Sequence, residues 1–155
     1  MRSIDAVITW VDGSDKEYKK RLEKHLTTST NYKKQYLQAN EIEYCVKSIL
    51  KFAPFVRKIF IVTDSQKPSF SGLEDLIVSN KVKVVDHKEI FKGYEKYLPT
   101  FNIRSIDAVL HRIEDLSETF VYFNDDVFLI DNIREEDWFV KNKAVLMGKW
   151  ATSYS

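Results

Sequence analysis

The sequence predicts an α/β protein with a mostly parallel sheet flanked by helices. Short apolar segments rich in β-branched residues alternate along the chain with segments of helical periodicity, and this alternation favours parallel strands that are covered on both faces. The length of 155 residues suits a single domain, and a hydrophobic content of 44% is enough for a core. With no internal repeat, low-complexity tract or linker, we expect one domain over residues 1–155.

The strand pattern occurs in segments that are short, apolar and followed by polar or turn-forming residues. They are IDAVITWV (4–11), KIFIVTD (58–64), KVKVVDH (81–87) and TFVYF (119–123). This is the pattern of strands buried inside a parallel sheet. No apolar run approaches the roughly 20 residues that span a bilayer, and the first ten residues lack the pattern of a signal peptide.

A helix is predicted after the first strand. Ser14 and Glu17 have the spacing of a capping box. The residues that follow place one set of side chains on a single helix face, namely Tyr18, Leu22, His25 and Leu26. Residues 27–31 interrupt this pattern, and residues 32–39 fit either a helix or a loop.

Further helices are predicted between the later strands. Asn40 and Glu43 have capping spacing ahead of an apolar stripe formed by Ile42, Cys45, Val46, Ile49 and Leu50. Ser71 and Glu74 indicate a short helix before the third strand. Asn102 precedes a last helix with one apolar face, made of Ile103, Ile106, Val109, Leu110 and Ile113.

The charge balance and the composition exclude several classes of function. The 24 basic residues nearly cancel the 23 acidic ones, so no net charge draws the chain to nucleic acid or to an anionic membrane. We interpret the basic segments KEYKKRLEKH and NYKKQY as solvated helix faces. The single cysteine, Cys45, excludes an internal disulfide and is expected to be buried. With 4 glycines and no glycine-rich phosphate motif, neither a dinucleotide site nor an ATP P-loop is expected.

Each predicted strand ends at an aspartate. The strand exits are Asp12-Gly13, Asp64-Ser65, Asp86-His87 and Asn124-Asp125-Asp126. In a parallel sheet these exits share one edge, which is where ligands bind in open α/β folds. Aspartate is also common in turns and helix caps, so the alternative is a set of unrelated turns.

The adjacent acids at 125 and 126 are the strongest candidates for metal ligands. Mg²⁺ takes oxygen ligands and keeps substrate phosphates in its shell. Neighbouring side chains of a regular strand point to opposite faces, so both acids reach one ion only if the strand bends or if one acts through water. The alternative is a turn with exposed acids. Trp10 could pack on a nucleobase or in the core, and His111-Arg112 could serve a phosphate or form a helix-surface pair.

Several long blocks occur in a fixed order along the chain. They are IDAVITWVDGSD, NEIEYCVKSILKFAPFVRKIFIVTDSQKP, VKVVDHKEIF and LPTFNIRSIDAVLHRIEDLSETFVYFNDDVFL. Together they resemble the Stealth family of sugar-1-phosphate transferases, which includes bacterial capsular polysaccharide phosphotransferases. The resemblance implies a nucleotide-diphospho-sugar transferase fold of the glycosyltransferase-A type. Because these relatives continue well past the acidic motif, we expect the chain to be an incomplete, N-terminal part of a longer catalytic domain.

The resemblance also implies an activity. Hexose-1-phosphate would pass from a UDP-sugar to a sugar hydroxyl in capsule or exopolysaccharide synthesis, with UMP as the leaving group. Two alternatives stay open: a glycosyltransferase on the same fold that releases UDP, and a nucleotide-sugar-binding fragment without catalysis. The expected partners are a UDP-sugar donor and a polysaccharide or sugar acceptor, without nucleic acid. We expect a cytoplasmic location, either free or peripheral to the membrane.

The same blocks imply the site residues. Those that would bind the donor are Trp10, Val11, Asp12, Gly13, Asp64, Gln66, Asn102, Arg104 and Asn124. His111 and Arg112 match the side of the donor phosphates and, with Asp125, are the expected catalytic residues. His111 is the candidate base. Asp125 and Asp126 are assigned to Mg²⁺ or Mn²⁺ as cofactor.

Overall fold

The central feature of the fold is a parallel sheet of four strands. A computed structural model of the chain describes residues 3–25, 39–141 and 143–148. The strands are Ile4–Thr9 (β1), Ile59–Thr63 (β2), Val82–Asp86 (β3) and Thr119–Asn124 (β4). Their spatial order is β3-β2-β1-β4, and every neighbouring pair is parallel. The predicted α/β class with a mostly parallel sheet flanked by helices is confirmed.

The strand register brings the four strand exits to one edge. Thr9 at the end of β1 pairs with Asn124 at the end of β4, and Thr63 pairs with Asp86 on the other side of the sheet. All four carboxyl ends therefore lie side by side, as the sequence predicts for a ligand site.

Helices and short turns connect the strands. The α-helices are Lys16–His25 (α1), Glu41–Phe52 (α2), Leu73–Val78 (α3), His87–Ile90 (α4), Ile103–Asp107 (α5) and Glu135–Trp138 (α6). Single 3₁₀ turns cover Glu95–Tyr97 and Leu110–Arg112, and a small antiparallel pair joins Phe139–Val140 (β5) to Lys143–Ala144 (β6). None of the helices in the described ranges is long and apolar enough to cross a membrane.

Both faces of the sheet are covered. Alternate strand residues point to opposite sides, and each set packs against a different group of helices and loops. On one face, Ala6 and Ile8 pack with the apolar stripe of α2 and with Leu73 of α3. On the other face, Val7 packs with the segment from Ile90 to Leu116. Burial on both sides explains why β1 and β2 are mainly apolar rather than alternating, with Asp5, Thr9 and Thr63 as their polar residues.

The prediction of one continuous helix after Asn102 is wrong. It is helical only over Ile103–Asp107, and Val109 (φ −116°, ψ 3°) leaves the helical region before a 3₁₀ turn. Its apolar side chains still reach the core, except for Ile103, which is 46% exposed. Packing against the sheet therefore determines the conformation of this segment. The side chains that pack inward happen to have helical spacing in the sequence, which is why a continuous helix is predicted.

Two predicted helix caps also differ. The α1 cap is Asp15, whose carboxylate accepts from the Tyr18 N–H at 2.7 Å, and not Ser14. Asn40 does precede α2, but its left-handed backbone (φ 66°) turns its side chain to donate to Glu43 at 2.7 Å. Leu26 and residues 27–38 lie outside the described residues, so the predictions made for them stay open.

Candidate functional site

A cleft of about 200 Å³ opens at the carboxyl edge of the sheet. Strands β1, β2 and β4, the helices α1 and α4, and the segment around α5 contribute to its walls. The lining residues are Thr9, Trp10, Val11, Tyr18, Val62, His87, Thr100, Phe101, Ile103, Ile106, Asn124 and Asp125. One part of this wall is aromatic and aliphatic, and another carries carboxylate, amide, imidazole and hydroxyl groups. Concave sites with this mixture suit small ligands.

The exits of β1 and β2 are tied together beside the cleft. The Asp12 N–H donates to Gln66 Oε1 and the Gln66 amide donates back to the Asp12 carbonyl, both at 2.9 Å. The Asp12 carboxylate also accepts from the Ser14 N–H at 2.7 Å, which fixes the turn through the buried Gly13. Among the predicted donor-binding residues, Asp12, Gly13 and Gln66 thus shape the loop that presents Trp10 and Val11.

Asp64 lies beneath this loop and is nearly buried, at 7% exposure. Arg21 of α1 binds it through Nε at 3.3 Å and Nη2 at 3.1 Å, and Nη2 also donates to the Asp64 carbonyl at 3.0 Å. The pair links α1 to the end of β2. The sequence assigned Asp64 to the donor, and the structure gives its carboxylate a protein partner.

The acidic motif forms a tight turn at the end of β4. The Val127 N–H donates to the Asn124 carbonyl at 3.2 Å, so Asp125 and Asp126 occupy the two central positions. The apolar residues that follow do not continue as a buried strand, since Val127 and Phe128 are 46% and 41% exposed. The alternative of a turn is therefore the one that the backbone adopts. Because Asp125 and Asp126 are in a turn, their side chains are not forced to opposite faces as they would be in a regular strand.

The acidic turn fits a cation that shares its ligands with a substrate. Asp125 lines the cleft together with Asn124, whereas Asp126 is exposed beside it. Among the described residues, no group of three or more histidine, cysteine, aspartate or glutamate side chains could enclose a metal ion. Mg²⁺ usually takes only one or two carboxylates and completes its shell with phosphates and water, so this chemistry suits the turn.

Cys45 of α2 packs under the acidic turn. It is fully buried, as predicted, and its thiol donates to the Asn124 carbonyl at 3.7 Å. Burial, followed by the charges of Asp125 and Asp126, raises the pKa of the Cys45 thiol to about 12. Cys45 is therefore a structural support for the turn and not a nucleophile.

We expect Cys45 to resist alkylation in the folded protein. The thiolate is the reactive form, and a raised pKa means that it is scarce below about pH 11. Iodoacetamide labelling at pH 8, followed by mass spectrometry, should be slow in native protein and rapid in urea. Rapid labelling at an undisturbed melting temperature would contradict the buried thiol.

The other predicted site residues lie around α5 and after it. Asn102 caps α5 by accepting from the Arg104 N–H at 3.0 Å, and both side chains are exposed. His111 is exposed on the 3₁₀ turn. Arg112 donates to the Lys92 carbonyl and stacks over the Tyr94 ring at 4.8 Å. None of these four is among the described residues that line the cleft, so their assignment to donor and catalysis stays a prediction.

Several cleft residues were not singled out for the site from the sequence. Tyr18 and Phe101 meet edge to face, with ring centroids 5.7 Å apart. Thr9 Oγ1 forms a 2.7 Å hydrogen bond to Tyr122 Oη on the neighbouring β4, and Tyr122 itself is not one of the lining residues. In the sequence, His87 appears only as part of the strand exit Asp86-His87, without a role of its own. The available signal was position, because each except Phe101 and Tyr18 lies at or near a strand exit.

These features define an α/β protein with a parallel sheet and a cleft at the carboxyl edge of that sheet. Comparison with known families is more specific. Residues 2–29 match "Stealth protein CR1, conserved region 1", and residues 35–147 match "Stealth protein CR2, conserved region 2". The chain belongs to the Stealth family.

Named relatives cover most of the chain. It is 41% identical over 145 residues to the capsular polysaccharide phosphotransferase fcs1 of Haemophilus influenzae. This match covers 90% of this chain and 38% of the relative. The capsular polysaccharide phosphotransferase LcbA of Neisseria meningitidis is 38% identical, with the same coverage. The exopolysaccharide phosphotransferase SCO6021 of Streptomyces coelicolor is also 38% identical, over 90% of this chain and 26% of the relative. The chain thus spans well under half the length of these relatives.

Proposed function

We propose that this chain forms the donor-binding part of a sugar-1-phosphate transferase. The enzyme would move hexose-1-phosphate from a UDP-sugar to a sugar hydroxyl during capsule or exopolysaccharide synthesis. The observation that carries the proposal is the cleft, where an aromatic wall and the Asn124-Asp125 turn share one cavity at the strand exits. The names of the relatives, all polysaccharide phosphotransferases, support the reaction class.

Different cleft residues would bind the base and the phosphates of the donor. Phe101 offers flat, partly exposed apolar surface to a nucleobase, whereas Trp10 and Tyr18 line the same cleft as buried side chains, at 9% and 3% exposure. Asn124 and Asp125 line the same cleft, and their side-chain oxygens would hold the diphosphate and its cation. When bound, Mg²⁺ supplies neutralisation of phosphate charge, which is the main demand of phosphoryl transfer.

The proposed reaction is a substitution at the β-phosphorus. The acceptor oxygen forms a bond to that phosphorus, and the bond from it to the bridging oxygen breaks. UMP leaves with the bridging oxygen, the hexose stays attached through its phosphate, and the acceptor proton passes to a base or to water. Geometry is decisive here, because the attacking and leaving oxygens must be roughly in line.

Product analysis tests the proposal. The protein is incubated with a UDP-hexose, Mg²⁺ and a capsular oligosaccharide acceptor, and nucleotides are separated by ion exchange. UMP formed in step with acceptor phosphorylation supports the phosphotransferase. UDP as the product would instead establish a glycosyltransferase. Calorimetric binding of UDP-hexose without either product would identify a nucleotide-sugar-binding fragment.

A further inference from the structure

His87 is a buried polar side chain, one of whose ring nitrogens has no hydrogen-bond partner in the described part of the chain. Its exposure is 3%, and its Nδ1 has no partner among the described residues. Leaving a buried polar atom unpaired is unfavourable, so the unpaired Nδ1 constrains which ring nitrogen carries the proton. His87 is the first residue of α4, directly after β3, and lines the cleft, so a bound ligand can contact its ring.

The charged groups around His87 are occupied elsewhere. Asp64 is bound by Arg21, and Asp86 caps α4 by accepting from the Lys88 N–H at 2.8 Å. Burial lowers the pKa of His87, the two carboxylates oppose this only in part, and Arg21 lowers the pKa further. The imidazole is therefore neutral at pH 7, with one N–H donor and one acceptor nitrogen.

The environment of the ring also selects its tautomer. A buried N–H without a partner is rarer in proteins than a buried acceptor without one. The unpaired Nδ1 of His87 is thus better accommodated as the acceptor, which puts the proton on Nε2. A neutral N–H donor suits a carbonyl oxygen, whereas a phosphate is better served by a cation or a charged side chain.

The position of His87 in the sheet indicates which part of a nucleotide it meets. β3 and β4 are the two edge strands, and three strand intervals of about 4.8 Å separate them by about 14 Å. The Asp125 carboxylate is at the β4 side of the same cleft, where the phosphates are expected. A donor whose phosphates lie at Asp125 can extend its base along the aromatic wall toward His87.

We propose that His87 is a specificity-determining residue that reads the pyrimidine of the donor nucleotide. Its Nε2–H donates to a carbonyl oxygen that uracil carries at a position where cytosine carries an amino group. This inference rests on the proposed function, since it requires that the cleft bind a nucleotide donor. It predicts that the protein binds UDP more tightly than CDP and that His87 is responsible for the difference.

Calorimetric titration with UDP and with CDP, each in Mg²⁺ buffer, tests the assignment. His87→Ala should weaken UDP binding by about tenfold, the effect of one good hydrogen bond, and should remove the preference over CDP. His87→Gln, whose amide N–H extends toward the Nε2 position, should retain more of the preference. Lys88→Ala, an exposed neighbour, should behave as wild type.

The outcomes separate this inference from the proposed function. Equal losses for UDP and CDP, or no loss, in variants that melt like wild type would overturn the role of His87 while leaving donor binding intact. If His87→Ala does not fold, the UDP-to-CDP ratio of His87→Leu, which fills the site without an N–H donor, decides: an unchanged ratio overturns the role. Failure of wild-type protein to bind UDP would overturn both.

Discussion

Replacing Asp125 with asparagine should abolish the effect of Mg²⁺ on UDP binding and lower kcat/KM by on the order of 100-fold, as loss of a key charge-stabilising group does. Asp125 lies in the turn after β4 and contributes the carboxylate that lines the cleft. Asparagine keeps the size of the side chain and removes its charge. A cation that also needs substrate phosphates then loses the charged ligand that lies inside the cleft.

Calorimetry with UDP, in Mg²⁺ and in EDTA, measures this effect. Wild type should bind more tightly in Mg²⁺, whereas Asp125→Asn should give the same affinity in both buffers. Glu118→Gln is the matched control, because it removes one negative charge from an exposed residue just before β4, at the opposite end of that strand. A persistent Mg²⁺ effect in Asp125→Asn, with normal folding, would contradict the assigned metal role.

Replacing Asp5 with asparagine should destabilise the fold by about 3 kcal/mol, the cost of breaking a buried ion pair. Asp5 is fully buried in β1, at the end of the sheet away from the cleft. Its carboxylate accepts from Arg57 Nε at 3.0 Å and Nη2 at 2.7 Å. It also accepts from the backbone N–H groups of Lys58 at 3.1 Å and Ser117 at 2.7 Å. One side chain therefore joins β1 to the segments that lead into β2 and β4.

The pH dependence of this contribution has a definite sign. Burial alone would raise the pKa of Asp5, but the hydrogen bonds from Arg57 and Ser117 outweigh it and hold the pKa below its ordinary value of 3.8. A lowered folded-state pKa gives stability that is present above pH 3.8 and is lost as pH falls through the folded value. The difference between wild type and Asp5→Asn should thus be largest near neutral pH and shrink in acid.

Urea unfolding between pH 7 and pH 3 measures this difference. Asp115→Asn is the control within the same network, because Asp115 binds Arg57 and Lys58 from an exposed position and is screened by solvent. Its loss should be much smaller than that of Asp5→Asn. Equal losses for the two variants, or a gap that grows in acid, would contradict the role given to Asp5.

The sequence predicts the sheet well because the strand signal is local. β1 and β2 are buried on both faces, so most of their residues are apolar and the strands stand out from the helices. Parallel connectivity then places all strand ends at one edge, and the position of the cleft follows. Trp10, Val11, Asn124 and Asp125, which the strand exits and the family resemblance indicate as site residues, all line this cleft, and their roles in binding stay predictions.

What the sequence does not predict depends on tertiary packing. Tyr18 and Phe101 are distant in sequence and become one aromatic wall only when α1 packs against the segment before α5. His87 looks like any polar residue after a strand until its burial is known. The segment containing His111 appears as one helix because its apolar spacing is helical, whereas packing bends it into separate turns.

A crystal structure with UDP and Mn²⁺ tests the central claim most directly, because the anomalous signal of manganese locates the ion independently of the ligand. We predict a manganese peak within coordinating distance of the Asp125 carboxylate, the diphosphate bound to it, and the uracil ring beside Tyr18 and Phe101. Nucleotide and ion bound together away from the carboxyl edge of the sheet would contradict the account.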